Sequence, residues 1–366
     1  MNQIPYINLK LQHKELKREL LAAVGRVLDN SNFILGDEVN KFETTLASYC
    51  AAKYAVGVNS GTDALFLSLK ACGIGPGDEV ITAPNSFLAT VSVIVAAGAK
   101  PVFVDTGADL NINPDLIEEK VTNKTRAIIP VHLTGRPAAM GPILRIARKY
   151  GLHVIEDAAQ AIGAEYKGQK VGTFGATGCF SLHPLKTLNA CGDAGAITTS
   201  NQRLCRTLMQ MRNIGLKNRD EADIWGYNSR LDTVQAAVLL VKFKYLDAWT
   251  EERRKKARYY LEHLRGIVVL PVERKYEKCV YHTFVIQAEQ RDKLQSYLEQ
   301  QGIGTRIHYP IPLHLQKACR PFKFKKGDFP VCEKQAEMIL SLPMYHGLTE
   351  EQQALIVKKI RNFYGN

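Results

Sequence analysis

Short apolar runs alternate with helical stretches through the first half of the chain. The runs at 55–60, 79–84, 100–106, 125–133 and 153–159 are rich in Val and Ile, and a helical segment separates each from the next. Apolar strands separated by helices are typical of a parallel sheet covered by helices on both faces. The pattern therefore predicts an α/β fold with a mostly parallel central sheet.

The alternation changes after residue 159. The runs 176–182 and 195–200 predict two further strands, and the loop between them contains Lys186. Before them, NPDLIEEKV (113–121) predicts a helix that begins at its proline, a residue favoured in the first helical turn.

A second, smaller domain is predicted from the last third of the chain. The stretch 231–264 predicts a long helical region that leaves the first domain, and strand-like 281–288 and helix-like 291–301 follow it. We expect a large domain over 1–245, which includes the N-terminal segment, and a small α+β domain over 246–366.

Composition indicates an ordinary globular chain. Hydrophobic residues make up 46% of the 366 residues, and no stretch approaches the roughly 20 apolar residues that a membrane helix needs. The N-terminus lacks the apolar run of a secretory signal. The eight cysteines are scattered and form no C-x-x-C pair, which favours reduced thiols over disulfides or a zinc site. We expect a cytoplasmic protein with no membrane partner and no metal.

The net charge of +12 has two explanations. It can attract an anionic partner, either a phosphorylated small molecule or nucleic acid, or it can be a solvated basic surface. The densest basic runs, 251–260 and 322–329, carry no nucleic-acid fold signature. We therefore expect no nucleic-acid partner.

Several residues with chemical potential follow strands of the predicted sheet, where ligands bind in open parallel sheets. NSGTDA (59–64) places a small-residue turn before a helix, which suits a phosphate but is also an ordinary helix start. Phe87 can stack on a planar ring or pack in the core. Asp157 ends a buried strand and so needs a partner: a protonated ring nitrogen, a lysine or a helix cap.

The loop 180–197 is the most informative segment. Ser181 ends a strand, and Lys186 follows in an apolar setting beside Pro184, Leu185 and Leu188. Partial desolvation favours the neutral amine that forms a Schiff base, although a lone lysine in such a loop can also be inert.

Taken together, the order and spacing of these features resemble the aspartate-aminotransferase fold of pyridoxal phosphate enzymes. Within that fold the chain resembles the DegT/DnrJ/EryC1/StrS family of sugar aminotransferases. The matching segments span nearly the whole chain: SGTDAL, GDEVITAPNSFLATVSVIVAAGAKPVFVD, HLTGRPAAM, VIEDAAQAIGAEYKGQKVGTFG, FSLHPLKTLNACGDAGAITT, GYNSRLDTVQAA and LSLPMYHGLTEEQ.

The resemblance implies roles around the cofactor ring. Lys186 matches the lysine that forms the imine with pyridoxal 5′-phosphate, and Asp157 matches the partner of the pyridinium nitrogen. Phe87 matches the stacking aromatic residue. Gln160 matches the residue near the ring hydroxyl.

The resemblance also implies contacts with the cofactor phosphate. Gly61, Thr62 and Ser181 match phosphate contacts within one chain. Asn228 matches an asparagine that reaches the phosphate of the neighbouring subunit, which implies a homodimer with shared active sites.

By resemblance, the amino donor is L-glutamate and the acceptor is a nucleotide-linked keto sugar, as in deoxyamino-sugar and O-antigen biosynthesis. The loop sequence GDAGA (192–196) differs from the GEGGM of many members that aminate carbon 4. It favours carbon 3 of a dTDP-3-keto-6-deoxyhexose. UDP-linked 3-keto sugars and carbon-4 amination remain alternatives.

Candidate substrate contacts follow from the same resemblance. RIHYPIPLH (306–314) resembles the family's substrate loop, which makes Tyr309 and His314 candidate sugar contacts. Arg230 and Lys217 are candidates for the nucleotide phosphates. His183 either faces the sugar or packs against the protein.

Two other functions remain open from the sequence. Some relatives replace the imine lysine with histidine and catalyse dehydration, and Lys186 favours transamination over that reaction. A non-catalytic regulatory protein is the other alternative, and the chain shows no N-terminal pair of DNA-binding helices in its favour.

Overall fold

The computed structural model describes residues 3–365. Its α-helices are, in chain order, α1 (Leu9–Asn30), α2 (Asp37–Cys50), α3 (Gly61–Ala71), α4 (Leu88–Ala96), α5 (Met140–Tyr150), α6 (Gln202–Met211), α7 (Thr233–Phe243), α8 (Leu246–His263), α9 (Arg291–Gln300), α10 (Pro330–Met338) and α11 (Glu350–Phe363). Its strands are β1 (Tyr54–Val58), β2 (Glu79–Thr82), β3 (Lys100–Phe103), β4 (Thr125–Ile128), β5 (His153–Asp157), β6 (Glu165–Tyr166), β7 (Gln169–Lys170), β8 (Thr177–Ser181), β9 (Gly195–Thr199), β10 (Glu277–Lys278), β11 (Phe284–Gln287) and β12 (Ile339–Leu342).

A seven-stranded sheet forms the centre of the molecule, in the order β1-β9-β8-β5-β4-β2-β3. Strand β9 runs antiparallel to both of its neighbours, β1 and β8, and the other pairs of this sheet are parallel. Strands β2 and β9 are buried along their whole length. The predicted α/β architecture with a mostly parallel sheet is therefore confirmed.

Strand register brings distant residues to one edge of the sheet. Strands β5 and β8 run parallel and pair Asp157 with Cys179, so that Ser181 lies two residues further along the same edge. The connection from β8 to β9 then returns to the sheet, where the N–H of Leu182 donates to the carbonyl of Ala194 at 2.9 Å. The loop that carries Lys186 is thereby anchored at both ends.

Two predicted helices differ from the structure. Segment 113–121 forms two single 3₁₀ turns, Pro114–Leu116 and Glu118–Lys120, around the buried Ile117. The main-chain hydrogen bonds of this segment join residues three apart, as from the N–H of Lys120 to the carbonyl of Ile117 at 3.0 Å, which is the 3₁₀ pattern. The region 231–264 is divided, because α7 ends at Phe243 and packs against α1 and α2, whereas α8 joins a different core.

This second core lies in the C-terminal part of the chain. It contains β11 and β12, which pair antiparallel, and buried side chains of α8, α9 and α11. The N-terminal segment also belongs to it, because the N–H of Ile4 donates to the carbonyl of Gly302 and the N–H of Gly304 donates to the carbonyl of Ile4, both at 2.8 Å. Between residues 3 and 365, no helix is both long enough and apolar enough to cross a membrane.

Candidate active site

A cavity of about 730 Å³ opens at the carboxyl edge of the central sheet. The starts of α3 and α4 and the ends of β5 and β8 form one side of it. Residues 5–7 and the loop 306–309 form another side, so both cores contribute to the wall.

Lys186 lies on the wall of this cavity, together with Asp157. Burial lowers the pKa of Lys186 to about 8, and the nearby carboxylate of Asp157 opposes that shift. An amine with such a pKa is partly neutral near physiological pH, which a nucleophilic lysine requires. The flanking main chain is fixed, since the N–H of Lys186 donates to the carbonyl of His183 at 2.8 Å.

Asp157 is a buried carboxylate at the end of β5. Its Oδ2 accepts a hydrogen bond from the hydroxyl of Thr90 at 2.9 Å, and its Oδ1 accepts one from the N–H of Ala159 at 3.2 Å. Burial raises its pKa, and these hydrogen bonds oppose the rise. Within residues 3–365 it forms no ion pair, which leaves it able to partner a cation in the cavity.

Phe87 precedes α4 and is 52% exposed, so it is not a core residue. It lines the cavity, and its ring centroid lies 5.6 Å from that of Tyr309 at an interplanar angle of 42°. An exposed aromatic face on a cavity wall suits stacking on a planar ligand.

Gln160 is held in place by two hydrogen bonds. Its Oε1 accepts from the N–H of Thr134 at 2.7 Å, and its Nε2 donates to the hydroxyl of Tyr309 at 3.3 Å. This arrangement links the end of β5 to the loop 306–309 and joins the two sides of the cavity. Burial raises the pKa of Tyr309, so its hydroxyl is protonated near neutral pH.

The start of α3 forms a polar corner of the cavity. The hydroxyl of Ser60 caps the helix by accepting from the N–H of Asp63 at 3.0 Å. Gly61 lies so close to Ser181 that an added Cβ would be 2.6 Å from the Ser181 Cβ. Gly61, Thr62 and Ser181 all line the cavity, and the helix N-terminus there offers free N–H groups to an anion.

The predicted substrate contacts divide into two groups. His183 and Tyr309 line the cavity. His314 does not face it: its Nε2 pairs with Glu333 at 2.9 Å, and its ring packs against Phe103 and Phe329. The placement of His314 is therefore at odds with its predicted role, because the side chain fills a satellite core.

The three remaining predicted residues lie on an irregular segment, 213–230. The side chain of Arg230 donates to Oδ1 of Asn213 at 3.2 Å, and Asn228 forms a backbone bridge with the same residue. Lys217 lies 3.9 Å from Asp223. These residues lie outside the cavity wall of this single chain.

Sequence reasoning missed further residues of the wall, including Tyr6, His282, Arg306 and His308. Arg306 forms one side-chain hydrogen bond, to the carbonyl of Thr305, and has no carboxylate partner within the described part of the chain. Arg306 and His308 belong to the predicted substrate loop, so the same resemblance could have identified them as candidates. No sequence pattern pointed to Tyr6. The hydrogen bonds of Ile4 with the distant residues Gly302 and Gly304 bring it to the site, and they exist only in the folded chain.

The part of the chain that the structure describes contains no group of three or more His, Cys, Asp and Glu side chains placed to hold a metal ion. The polar groups of the cavity instead suit an organic ligand with an aldehyde, a basic ring nitrogen and a phosphate. Lys186, the unpaired Asp157 and the corner at Gly61 lie on its wall in positions that can meet those three groups.

Comparison with known proteins gives a consistent result. The family model described as the DegT/DnrJ/EryC1/StrS aminotransferase family matches residues 14–361. Among solved structures, that of Streptomyces venezuelae DesV in complex with a ketimine intermediate is similar to this chain with a TM-score of 0.98. The two are 40% identical, and the match covers 100% of both chains.

Three curated relatives are similar over nearly their full length. A pleiotropic regulatory protein of Geobacillus stearothermophilus is 47% identical, with 99% of this chain and 98% of the relative covered. A UDP-N-acetyl-3-dehydro-alpha-D-glucosamine 3-aminotransferase of Acidithiobacillus ferrooxidans is 44% identical (98% and 97% covered). A dTDP-3-amino-3,6-dideoxy-alpha-D-galactopyranose transaminase of Aneurinibacillus thermoaerophilus is 43% identical (99% of each covered).

Proposed function

Because the chain belongs to the DegT/DnrJ/EryC1/StrS aminotransferase family, whose members use pyridoxal phosphate, we propose that it transfers an amino group from L-glutamate to a nucleotide-linked keto sugar. The acceptor we propose is carbon 3 of a dTDP-3-keto-6-deoxyhexose. One observation carries the proposal: Lys186, whose pKa is lowered, and the buried Asp157, which forms no ion pair within the described residues, line the same cavity.

The residues of the cavity fit pyridoxal 5′-phosphate. Gly61, Thr62 and Ser181 would hold the phosphate at the start of α3, where a side chain at Gly61 would collide with Ser181. Phe87 would cover one face of the ring, and Gln160 would lie near the ring hydroxyl. When bound, the cofactor supplies an electron sink for the C–H bond next to the nitrogen of the amino acid.

Lys186 has two tasks in this proposal. Its neutral amine would hold the cofactor through the aldehyde group, and as a free amine it would accept and return a proton as general base and acid. A pKa of about 8 suits both tasks, because each protonation state is accessible near neutral pH.

Asp157 has to stay ionised to keep a ring nitrogen protonated. Its hydrogen bonds from Thr90 and from the N–H of Ala159 stabilise the charged form. A protonated ring nitrogen would add the cation that this buried carboxylate lacks in the described chain, and would lower its pKa.

The acceptor assignment rests on the loop 192–196 and on the relatives. The Aneurinibacillus relative is a dTDP-3-amino-sugar transaminase, and the GDAGA sequence favours carbon 3. Arg306, His183 and Tyr309 line the cavity and are the side chains we assign to the substrate. The similarity to a UDP-sugar 3-aminotransferase supports a UDP-linked 3-keto sugar as the second candidate.

We also propose a homodimer. The segment 213–230 exposes apolar side chains, among them Trp225, which is 91% exposed, and Ile214. Covering this segment with a second copy would bury those side chains and would bring Asn228, and with it Arg230 and Lys217, towards the partner's cavity. The eight free thiols, mostly buried, support a cytoplasmic location.

The test is incubation of the purified protein with pyridoxal phosphate, L-glutamate and the dTDP-linked keto sugar. We expect one 2-oxoglutarate for each 3-amino sugar formed. A deoxygenated sugar without 2-oxoglutarate would indicate a dehydratase instead. Preference for the UDP-linked substrate in a parallel reaction would favour the second candidate.

A further inference from the structure

Lys242 on α7 is a fully buried lysine. Lysine is almost never fully buried unless an acidic group compensates it, yet among residues 3–365 no carboxylate forms an ion pair with Lys242. Its Nζ instead contacts Oδ1 of Asn189 and lies 3.1 Å from Nε2 of His13. Burial lowers the pKa of both Lys242 and His13, which leaves the imidazole neutral and able to accept.

The contact with Lys242 fixes the orientation of the Asn189 amide. Nζ donates to Oδ1, so the amide turns its oxygen towards Lys242. Its Nδ2 then faces the opposite way, where it donates to the main-chain carbonyl of Lys186 at 3.0 Å and to Oε1 of Gln12 at 3.2 Å.

The loop around Lys186 is closed on both sides by hydrogen bonds. The N–H of Lys186 donates to the carbonyl of His183 at 2.8 Å, and the N–H of Ala190 donates to the carbonyl of Leu182 at 2.7 Å. The carbonyl of Lys186 is held by Asn189 alone among the hydrogen bonds within the described residues. The main-chain carbonyl of Lys186 therefore depends on the amide of Asn189, which Lys242 and Gln12 orient together.

We propose that Lys242 is a positioning residue for Lys186: through Asn189, it holds the main chain of Lys186 at the angle from which its amine reaches both the cofactor and the transferred proton. The inference rests on the proposed function. It extends the active site to α1, which contributes Gln12 and His13, and to α7, which contributes Lys242. Neither helix supplies a side chain to the described cavity wall.

Packing alone does not explain Lys242. The contact between α1 and α7 already has an apolar core, including Leu16, Leu20, Val238 and Val241. A methionine at 242 would match the volume of the lysine stem in that core. The polar end of the side chain is what remains to be explained, and its contact with Asn189 leads to the loop of Lys186.

The test uses the holoenzyme and three substitutions. Lys242→Met keeps the volume and removes the donor, whereas Lys242→Gln keeps a donor. Asn189→Asp keeps a partner for Lys242, and gains an ion pair, but loses the donor to the carbonyl of Lys186. Lys244→Met, at an exposed position just beyond α7, is the matched control.

Two readouts are compared: the pH at which the absorption band of the lysine-bound cofactor changes, and the rate of the half-reaction with glutamate. We expect Lys242→Met and Asn189→Asp to shift the band's titration and to lower the half-reaction rate about 10- to 100-fold, the scale of a small misplacement of a catalytic group. KM for glutamate should change little, Lys242→Gln should recover part of the rate, and Lys244→Met should resemble the unsubstituted protein.

Unchanged titration and rate in both Lys242→Met and Asn189→Asp would overturn the inference while leaving the proposed function intact. Asn189→Asp keeps the test decisive if Lys242→Met unfolds, because its new ion pair preserves the buried lysine. Absence of the band in the unsubstituted protein would overturn the proposed function and this inference with it.

Discussion

The hydroxyl of Thr90 lies 2.9 Å from Oδ2 of Asp157, although the two are 67 positions apart in the chain. Thr90 is itself 2.8 Å from the hydroxyl of Ser86, so a short chain of hydroxyl groups at the start of α4 leads to the carboxylate at the end of β5. These hydrogen bonds favour the ionised carboxylate, whereas burial opposes it. The balance between these hydrogen bonds and burial sets the pKa of Asp157, and with it the contribution of this carboxylate to stability and to activity.

Replacement of Asp157 by Asn should therefore act in opposite directions on stability and on activity. The pKa of Asp157 is raised in the folded state, so the stability it contributes is present at acidic pH and is lost as the pH rises through the folded pKa. Near neutral pH the cofactor-free Asp157→Asn variant should melt at or above the temperature of the unsubstituted protein. Its kcat should fall about 100-fold or more, as when one preorganised electrostatic group is lost. A near-normal kcat would show that the carboxylate is structural.

Replacement of Lys186 by Ala should abolish the absorption band of the lysine-bound cofactor and all catalytic turnover, since among residues 3–365 no other lysine lines the cavity. Thermal melting should still show a folded protein. Lys149→Ala, at an exposed position that pairs with Glu118, is the control and should keep both band and activity. Turnover by the Lys186→Ala variant would disprove the assignment.

Cofactor uptake should depend on pH through the amine of Lys186. Because the neutral amine attacks the aldehyde, the rate at which the absorption band appears in cofactor-free protein should rise with pH, with a midpoint at about 8. The pKa of Lys186 is held below that of an unfolded lysine, so the folded protein should also gain stability as the pH rises from that midpoint towards the ordinary lysine value. A midpoint near the ordinary lysine pKa would contradict this account.

Gly61→Ala should weaken phosphate binding and destabilise the protein. The new Cβ would lie 2.6 Å from the Cβ and 2.9 Å from the Cα of Ser181, so α3 and β8 would have to separate. Forcing atoms into packed space costs about 1–3 kcal/mol, measurable as a lower free energy of unfolding in urea. Gly25→Ala, inside α1 with no neighbour within 4 Å of the added Cβ, should instead stabilise by about 0.5–1 kcal/mol. Equal effects of the two substitutions would refute the proposed crowding at Gly61.

Arg306→Gln should weaken binding of the anionic substrate. A charge-assisted hydrogen bond contributes about 1.5–3 kcal/mol, so KM should rise roughly tenfold or more while kcat changes less. Separate titrations of glutamate and of the sugar nucleotide will tell which substrate Arg306 meets. Arg320→Gln, exposed and outside the cavity wall, is the control. An unchanged KM for both substrates would remove Arg306 from the site.

The sequence predicted the elements whose periodicity is regular and failed where tertiary contacts decide. The apolar runs that end at Asp157 and Ser181 are strands because both their faces are buried, and that requirement is visible in composition alone. The turns around Ile117 were mispredicted as one helix, since burial of a single side chain outweighed the local helical pattern.

Side-chain direction in irregular segments was also beyond sequence reasoning. Tyr309 and His314 belong to one predicted substrate loop, but a 3₁₀ turn, Leu313–Leu315, directs His314 towards Glu333 and away from the cavity. The apolar alternation of strands offers no guide in such a turn. The link from Lys242 to Asn189 joins residues 53 positions apart, and the sequence assigned no role to either.

The main-chain hydrogen bonds of Ile4 with Gly302 and Gly304 have a practical consequence for work on this protein. These hydrogen bonds set Tyr6 on the wall of the cavity, so a sequence fused to the N-terminus lies only a few residues along the chain from that wall. Affinity tags and fluorescent labels are therefore better joined after α11, whose final residues do not line that cavity. Assays on N-terminally tagged protein should be repeated after tag removal before their kinetic constants are compared with those of relatives.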